Sequence, residues 1–335
     1  MEKNKRYTNR KRLYSGHYSD VYSAIDSAID TTDSTTDASV CLKIVDCDVR
    51  MKPHDIRHEI GLLKRLDHPG ILAWKDDFIW NDDIVLVTPL YQYDLNGLLD
   101  KHTTRAMRHN LEDPSKSKVV VKNTLPEASI EKIVVGLAQA LAYLHDQGII
   151  HRDVKPSNIY FNQSVAHPVL GDFGISYDDQ SPEPAHAKYT DVGTGIYKAP
   201  ELCLGVVDYG PEIDGWALGV VMTLLYLRTL ESVLEPEEGD EVVINDLYLI
   251  HAIFQNFGTP SLDSSSELYW PEMADDRYYF NKLQFQPQDR RHLQTLVPRC
   301  TKPLVRQTFD KLMTYDRWRR ISMKQLAQEM AGAPV

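Results

Sequence analysis

The sequence predicts an α+β fold, and two patterns carry that expectation. Extended patterns gather before residue 90, at 13–24, 40–43 and 84–87. Beyond about residue 125 the apolar residues recur instead at three- and four-residue spacing, as on the buried face of a helix. With 335 residues, the chain is long enough for a two-lobed unit or two ordinary domains.

Taken in order, Met1 to Arg12 is basic but lacks the apolar core of a secretory signal, so residues 1–11 are expected to form a solvated arm, with a nuclear address as the second reading. Leu13 to Ala24 reads as strand, turn and strand. Asp26 to Ser39, a run of Asp, Ser, Thr and Ala, cannot build a packed core and is expected to be an enlarged hairpin loop. Val40-Cys41-Leu42-Lys43 alternates as a half-buried strand. Pro53 suits the first turn of a following helix, whose apolar stripe is Ile56, Ile60 and Leu63, with Glu59 beside it. Ile84 to Val87 is an unbroken apolar run, as in a buried strand, and leads into Thr88-Pro89-Leu90-Tyr91. Asp94 serves equally as a helix N-cap or as an acceptor for a ligand hydroxyl.

His102 to Asn123 is polar and aperiodic, an expected insertion. Thr124-Leu125-Pro126-Glu127 has the form of a capping box, followed by a helical stripe of Ile130, Ile133, Val134, Leu137, Leu141 and Leu144. Tyr177 to His186 is rich in acid and proline and must be a loop. Asp214 opens an apolar helix running to about Leu227. After an acidic loop, 235–241, a last distinctive helix ends at Gly258-Thr259-Pro260.

Hydrophobic residues make up 42% and charged residues 25% of the chain, the balance of a soluble globular protein. The net charge of −11 argues against nonspecific binding to nucleic acid or anionic membrane. No apolar run approaches the roughly 20 residues of a membrane span. Cys41, Cys47, Cys203 and Cys300 are scattered, without metal-ligand spacing, so free thiols in a reducing compartment, cytoplasm or nucleus, are expected.

The chemistry concentrates in His151-Arg152-Asp153-Val154-Lys155-Pro156-Ser157-Asn158 and Asp172-Phe173-Gly174. Phosphoryl transfer needs a carboxylate to orient an acceptor hydroxyl and oxygen ligands to hold Mg²⁺ against the phosphates. Asp153 can supply the first, Asn158 and Asp172 the second, while Arg152 and Lys155 add positive charge where the transferred group accumulates negative charge.

These two segments and Ala199-Pro200-Glu201 resemble the catalytic, metal-binding and docking motifs of the protein kinase family. The resemblance runs from about Arg12 to Met330. It implies a bilobal fold: a five-stranded, β-rich N-lobe with one key helix over about 12–90, a mainly helical C-lobe over about 91–330, and insertions at 26–39 and 102–123. It also implies ATP and Mg²⁺ in the cleft. Tyr14-Ser15-Gly16 to Val21 is similar to the nucleotide lid, although of the family's three glycines only Gly16 is present, Tyr14 and Ser19 taking the outer places. By the same resemblance Lys43 contacts the α- and β-phosphates and pairs with Glu59. Thr88 is the gatekeeper, and Pro89, Leu90 and Tyr91 form the hinge that meets adenine. Asp94 is placed at the ribose and Asn158 and Asp172 at the metal. Thr194 bridges Asp153 and Lys155, the arrangement of serine/threonine kinases. Asp214 is expected to hold the backbone of the catalytic loop, and Glu201 to pair with Arg320.

The C-lobe is similar to the cyclin-dependent-kinase-like group. Thr194-Gly195-Ile196-Tyr197-Lys198-Ala199-Pro200-Glu201, with the divergent lid, resembles the fungal monomeric kinases that phosphorylate the activation-loop threonine of cyclin-dependent kinases without a cyclin. The resemblance thus implies a monomer with a cyclin-dependent kinase as protein substrate, and no nucleic-acid or membrane partner. Lys198 replaces the arginine associated with proline-directed specificity. Arg152 marks kinases switched by an activation-segment phosphate, for which Thr190 is a better site than Tyr189; Asp191 and the acidic loop pairing constitutively with Arg152 is the favoured account. The alternatives are a cyclin-dependent-kinase-like enzyme with other protein substrates and a nucleotide-binding pseudokinase scaffold. A small-molecule phosphotransferase is a third, against which the intact Thr194 to Glu201 segment counts.

Overall fold

A computed structural model of the chain describes residues 3–29, 38–48, 51–108, 118–162, 167–229, 232–236, 243–278, 280 and 283–331. The N-terminal lobe is built on a five-stranded antiparallel sheet. After the short helix α1 (Lys3–Arg6) its strands are β1 (Tyr7–Ser15), β2 (Asp20–Asp26), β3 (Ser39–Val45), β4 (Asp76–Trp80) and β5 (Asp83–Pro89). They lie in the order β1-β2-β3-β5-β4. The two-residue turn between β4 and β5 is Asn81-Asp82, both at positive φ (49° and 70°), the primed geometry that matches strand twist. Val21, Lys43 and Leu86 oppose one another across three strands and so share one face. Alternation sends Val40, Leu42, Val85 and Val87 to the other face, where they close a small core with Tyr7, Ala24 and Phe78.

That second core corrects the expected arm. Within residues 1–11 the described residues are α1 and the start of β1, not a solvated tail. Tyr7 is buried and stacked on Phe78, with ring centroids 5.6 Å apart. Lys3 reaches Asp76 at 2.6 Å, and Arg6 holds Asp26 through two hydrogen bonds of 2.7 Å. The buried carboxylates of Asp26 and Asp76 need cationic partners, and the basic residues of the N-terminus provide them.

The helix α2 (Ile56–Arg65) crosses this lobe. Its N-cap is Asp55, whose side chain accepts from the backbone N–H groups of Arg57 and His58, so the helix starts three residues after Pro53 and the proline lies outside it.

The C-terminal lobe begins with β6 (Tyr93–Asp94), α3 (Leu95–Lys101), β7 (Thr103–Arg108), β8 (Lys118–Asn123) and α4 (Glu127–Asp146). The insertion at 102–123 is therefore not structureless: β7 and β8 pair as an antiparallel ribbon from Thr103↔Asn123 to Arg108↔Lys118. Residues 109–117, and 30–37 of the other insertion, lie outside the described residues. The capping box at Thr124 does not form. Thr124 donates to the His102 carbonyl, the N-cap is Pro126, and Glu127 instead accepts from the backbone and hydroxyl of Thr301. The short strands β9 (Ile159–Phe161) and β10 (Val169–Leu170) join β6 in a three-stranded sheet under the cleft.

Then follow α5 (Pro200–Cys203), α6 (Glu212–Tyr226), α7 (Asp246–Phe257), α8 (Leu293–Leu296), α9 (Pro303–Leu312) and α10 (Met323–Ala331). All but the first residue of α6 are buried, and α4, α9 and α10 pack around it and one another in the main core. No helix among the described residues is long and apolar enough to cross a membrane.

Candidate active site

The catalytic loop leaves α4 and is fastened from below. Asp214, in the first turn of α6, accepts the backbone N–H groups of His151 (2.9 Å) and Arg152 (2.8 Å) on its two oxygens, and His145 lies 2.9 Å from the first of them. Asp214 lies inside the helix, whose N-cap is Pro211. Burial works against the Asp214 charge, but hydrogen bonding from His145 and the loop outweighs it and holds the carboxyl below its usual range. His151 bonds the Gly171 carbonyl at 3.0 Å and meets the Phe173 ring edge-on. Arg152 and Asp172 both adopt left-handed backbone, φ 69° and 60°. Such geometry in non-glycine residues costs on the order of 1 kcal/mol or more and persists where the surroundings impose it.

Above this floor the polar side chains converge. Thr194 donates to Asp153 Oδ1 at 2.7 Å, Lys155 Nζ lies 2.8 Å from Asp153 Oδ2, and Lys155 also donates to the Thr194 hydroxyl at 2.7 Å. Asn158 Nδ2 donates to the Asp153 carbonyl and to its Oδ2. Each oxygen of the Asp153 carboxylate is therefore held in place.

Across the cleft, Lys43 Nζ is 2.8 Å from Glu59 Oε2 and 2.7 Å from Asp172 Oδ1, and Glu59 Oε1 accepts the Phe173 N–H at 3.2 Å. Glu59 is 1% exposed. Burial opposes the lysine charge, but the carboxylates of Asp172 and Glu59 outweigh it and hold the ammonium above its ordinary pKa. Two acids share this one cation. Burial pushes Glu59 up, whereas Lys43 prevails over burial at Asp172 and pulls it down.

On the nucleotide side, β1 and β2 carry Tyr14 opposite Val21 and Ser15 opposite Asp20, and the turn closes with Gly16 N–H donating to the Ser19 carbonyl at 3.0 Å. A Cβ on Gly16 would come within 2.7 Å of the Tyr14 ring, so the tyrosine occupies space over the one retained glycine. Thr88 is buried at the end of β5, followed by Pro89, Leu90 and Tyr91. Asp94 caps α3, accepting from Gly97 N–H at 2.8 Å.

The Protein kinase domain model matches residues 7–330. The chain belongs to the protein kinase family. Among its relatives, the serine/threonine-protein kinase CAK1 of Saccharomyces cerevisiae is 30% identical over 267 residues, covering 70% of each chain. The serine/threonine-protein kinase csk1 of Schizosaccharomyces pombe is 28% identical over 239 residues, 70% of this chain and 67% of that one. Cyclin-dependent kinase 7 of Xenopus laevis is 31% identical over 219 residues, 64% of this chain and 51% of that one. The kinase is thus a protein serine/threonine kinase of the cyclin-dependent-kinase-like group, with a protein as substrate. Family membership implies ATP and a divalent metal.

Several residues of this kinase's site were not singled out in the sequence. The Tyr160 ring stacks with Tyr91 at 5.7 Å and presses on Gly171, where a Cβ would meet it at 2.5 Å. Tyr18, at the tip of the lid, packs against His54 with the rings tilted by 32° and their centroids 4.5 Å apart. Arg152 binds Glu183 through two bonds of 2.8 Å, and Glu183 also accepts the Tyr189 N–H at 2.8 Å. The anion that meets Arg152 is therefore Glu183, from the acid- and proline-rich loop Tyr177 to His186, and not Asp191. The sequence showed an acid-rich segment but not which acid would meet the arginine, because that depends on how the loop folds back. Lys198 holds both oxygens of Asp246 (2.8 and 3.0 Å), and Glu201 meets Arg320 at 2.6 and 3.1 Å.

Proposed function

We propose that this kinase transfers the γ-phosphoryl of Mg-ATP to the activation-loop threonine of a cyclin-dependent kinase, acting as a monomer without a cyclin. The observation that carries the single-chain part is that the Lys43–Glu59 pair and the Asp153–Lys155–Thr194 cluster are both closed within one chain, with Arg152 already neutralised by Glu183. The relatives CAK1 and csk1, and the shared Thr194 to Glu201 pattern, support the substrate class.

In this reading the lid (Tyr14, Ser15, Gly16, Val21), the hinge (Leu90, Tyr91) and the Tyr160 ring enclose the nucleotide, with Asp94 at the ribose. Lys43, aligned by Glu59, meets the α- and β-phosphates. Asn158 and Asp172 offer oxygen donors, the set a hard divalent cation prefers. The Asn158 amide nitrogen is engaged by Asp153, which leaves its carbonyl oxygen as the ligand atom. Mg²⁺ there supplies positive charge that neutralises the phosphates. Asp153 orients the acceptor hydroxyl and takes its proton late, as the hydroxyl oxygen bonds phosphorus and the bond to the ADP oxygen breaks. Lys155 stabilises the transferring group, and Thr194 keeps Asp153 and Lys155 in register.

The residues after the target threonine are proposed to dock in a cavity of about 310 Å³ bordered by Asp191, Lys198, Ile244 and Asp246. With Lys198 committed to Asp246, no proline preference is expected. The four cysteines, all unpaired, support a reducing compartment, cytoplasm or nucleus.

The test is radiolabelled transfer from Mg-ATP by the purified chain to a kinase-dead cyclin-dependent kinase, with and without its activation-loop threonine. Threonine-dependent labelling that falls by about 10² to 10⁴ in Asp153→Asn is expected. Labelling of generic basic protein alone would favour other protein substrates. ATP binding with no transfer to any acceptor would overturn the enzyme reading in favour of a scaffold.

A further inference from the structure

Glu59 can serve Lys43 only while α2 stays against the cleft, and beside its apolar packing and the Lys64–Asp77 pair the helix is held there by the segment that follows Asp172. At the N-terminus of α2 the Asp55 N–H donates to the Gly174 carbonyl at 2.9 Å. Along the flank of the helix, His58 and Arg65 stand seven residues apart, two turns on the same face. Both reach one carboxylate. His58 Nε2 lies 2.9 Å from Asp178 Oδ1, and Arg65 Nη2 donates to Asp178 Oδ2 at 2.5 Å.

Asp178 is itself rigidly placed. Its side chain is 3% exposed, its N–H donates to Ser181 Oγ at 3.0 Å, and Oδ1 accepts the Gln180 N–H at 3.0 Å. Its neighbour Tyr177 exchanges two backbone hydrogen bonds, 2.8 and 2.9 Å, with Ile150, the residue that enters the catalytic loop. Five residues further on, Glu183 holds Arg152 of that loop. One stretch of chain thus ties the helix that bears Glu59 to the loop that bears Asp153, with two carboxylates and no second protein.

We propose that Asp178 is a positioning residue for phosphoryl transfer, clamping both halves of α2 through His58 and Arg65 so that Glu59 remains on Lys43 in the isolated chain. The proposal rests on the single-chain part of the function above. It explains what fixes α2 where an activating partner or a phosphate would otherwise act: the sign and placement of the charge are built into the sequence. A buried carboxylate held by the Arg65 guanidinium and the His58 ring is costly to uncouple from either, since the group stays out of reach of water.

The experiment measures kcat and KM for ATP of the purified chain on a generic basic protein, so that the physiological substrate does not enter, with thermal melting as the folding control. Asp178→Asn is expected to lower kcat on the order of tenfold to a hundredfold. Because the residue acts through Glu59, Asp178→Asn added to Glu59→Gln is expected to cost nothing beyond Glu59→Gln alone. Should Asp178→Asn misfold, Arg65, which is partly exposed, decides the matter: Arg65→Gln is expected to lose about threefold and Arg65→Lys to restore it. A folded Asp178→Asn protein with parental kcat would overturn the clamp, as would losses that multiply with Glu59→Gln, or an Arg65→Gln protein with unchanged activity. A parental chain inert on every acceptor until another protein is added would overturn the single-chain reading first. Parental activity with an indifferent Asp178→Asn variant would overturn the clamp alone.

Discussion

Glu201 and Arg320 show how much rests on single side chains here. They are 1% and 0% exposed, and the arginine also donates to the carbonyls of Thr314 and Glu212. Removing one partner strands a charge that water cannot reach. Glu201→Ala is accordingly expected to lower unfolding free energy by about 3 to 5 kcal/mol in urea titrations. At Arg152 the opposite economy holds, because its partner is already in the chain. Thr190→Ala is therefore expected to keep parental kcat. A collapse in activity on that substitution would show that the Glu183 pair is not enough to set the catalytic loop.

At the scale of elements, burial separates what is structural from what is appended. The α6 helix is enclosed on all sides and carries Asp214 to the catalytic loop, so its placement and that of the site are one problem. The β7–β8 ribbon is different. Met107 and Val119 at its far end are each 53% exposed, and of its residues with described side chains only Asn123 is buried, holding the Leu225 and Leu227 carbonyls. An isolated two-stranded ribbon adds little stability by itself. Replacing residues 104–122 with a short Gly-Ser link while keeping Asn123 is expected to leave the unfolding free energy within about 1 kcal/mol of the parent by denaturant titration.

Across the whole molecule, the buried carboxylates that join the lobes or hold the catalytic loop set an acid limit. Burial would raise the Asp172, Asp178 and Asp214 carboxyls. It is outweighed by Lys43 at Asp172, by Arg65 and His58 at Asp178 and by His145 at Asp214, and all three lie below their ordinary value. Unfolded, these groups take protons near pH 4, so their contribution is complete above about that pH and is lost as pH falls through the lower folded values. Glu59 runs the other way: burial raises its carboxyl, so stability present below its unfolded pKa is lost as pH rises through the folded one. Asp26 and Asp76 are lowered as well, and of the carboxyls only Glu59 and Glu272 are raised among the described residues, so the denaturation midpoint is expected to hold from pH 7 to 5 and to fall below about pH 4. Asp178→Asn should flatten that fall, as read in midpoints across a pH series.

The family and the α+β architecture were legible in the sequence, because both are written in local pattern. His151 to Asn158 and Asp172 to Gly174 are short runs whose residue types can be read without knowing the fold, and the stripe of Ile130 to Leu144 can only be a buried helix face. Loop chemistry was legible too where one residue type suffices, as at Thr194 or Asp214. What tertiary structure decided were the long-range partners. The basic residues at 3–6 read as an arm because the acids they serve, Asp26 and Asp76, are 20 residues or more away in sequence. The pairing of β7 with β8 was hidden because exposed strands need no alternating pattern. His58 and Arg65 meet Asp178 across 120 and 113 residues, and Glu183 meets Arg152 across 31. Local spacing predicts which face a side chain occupies; which of many acids it will meet is fixed only when the lobes close and water is excluded around the pair.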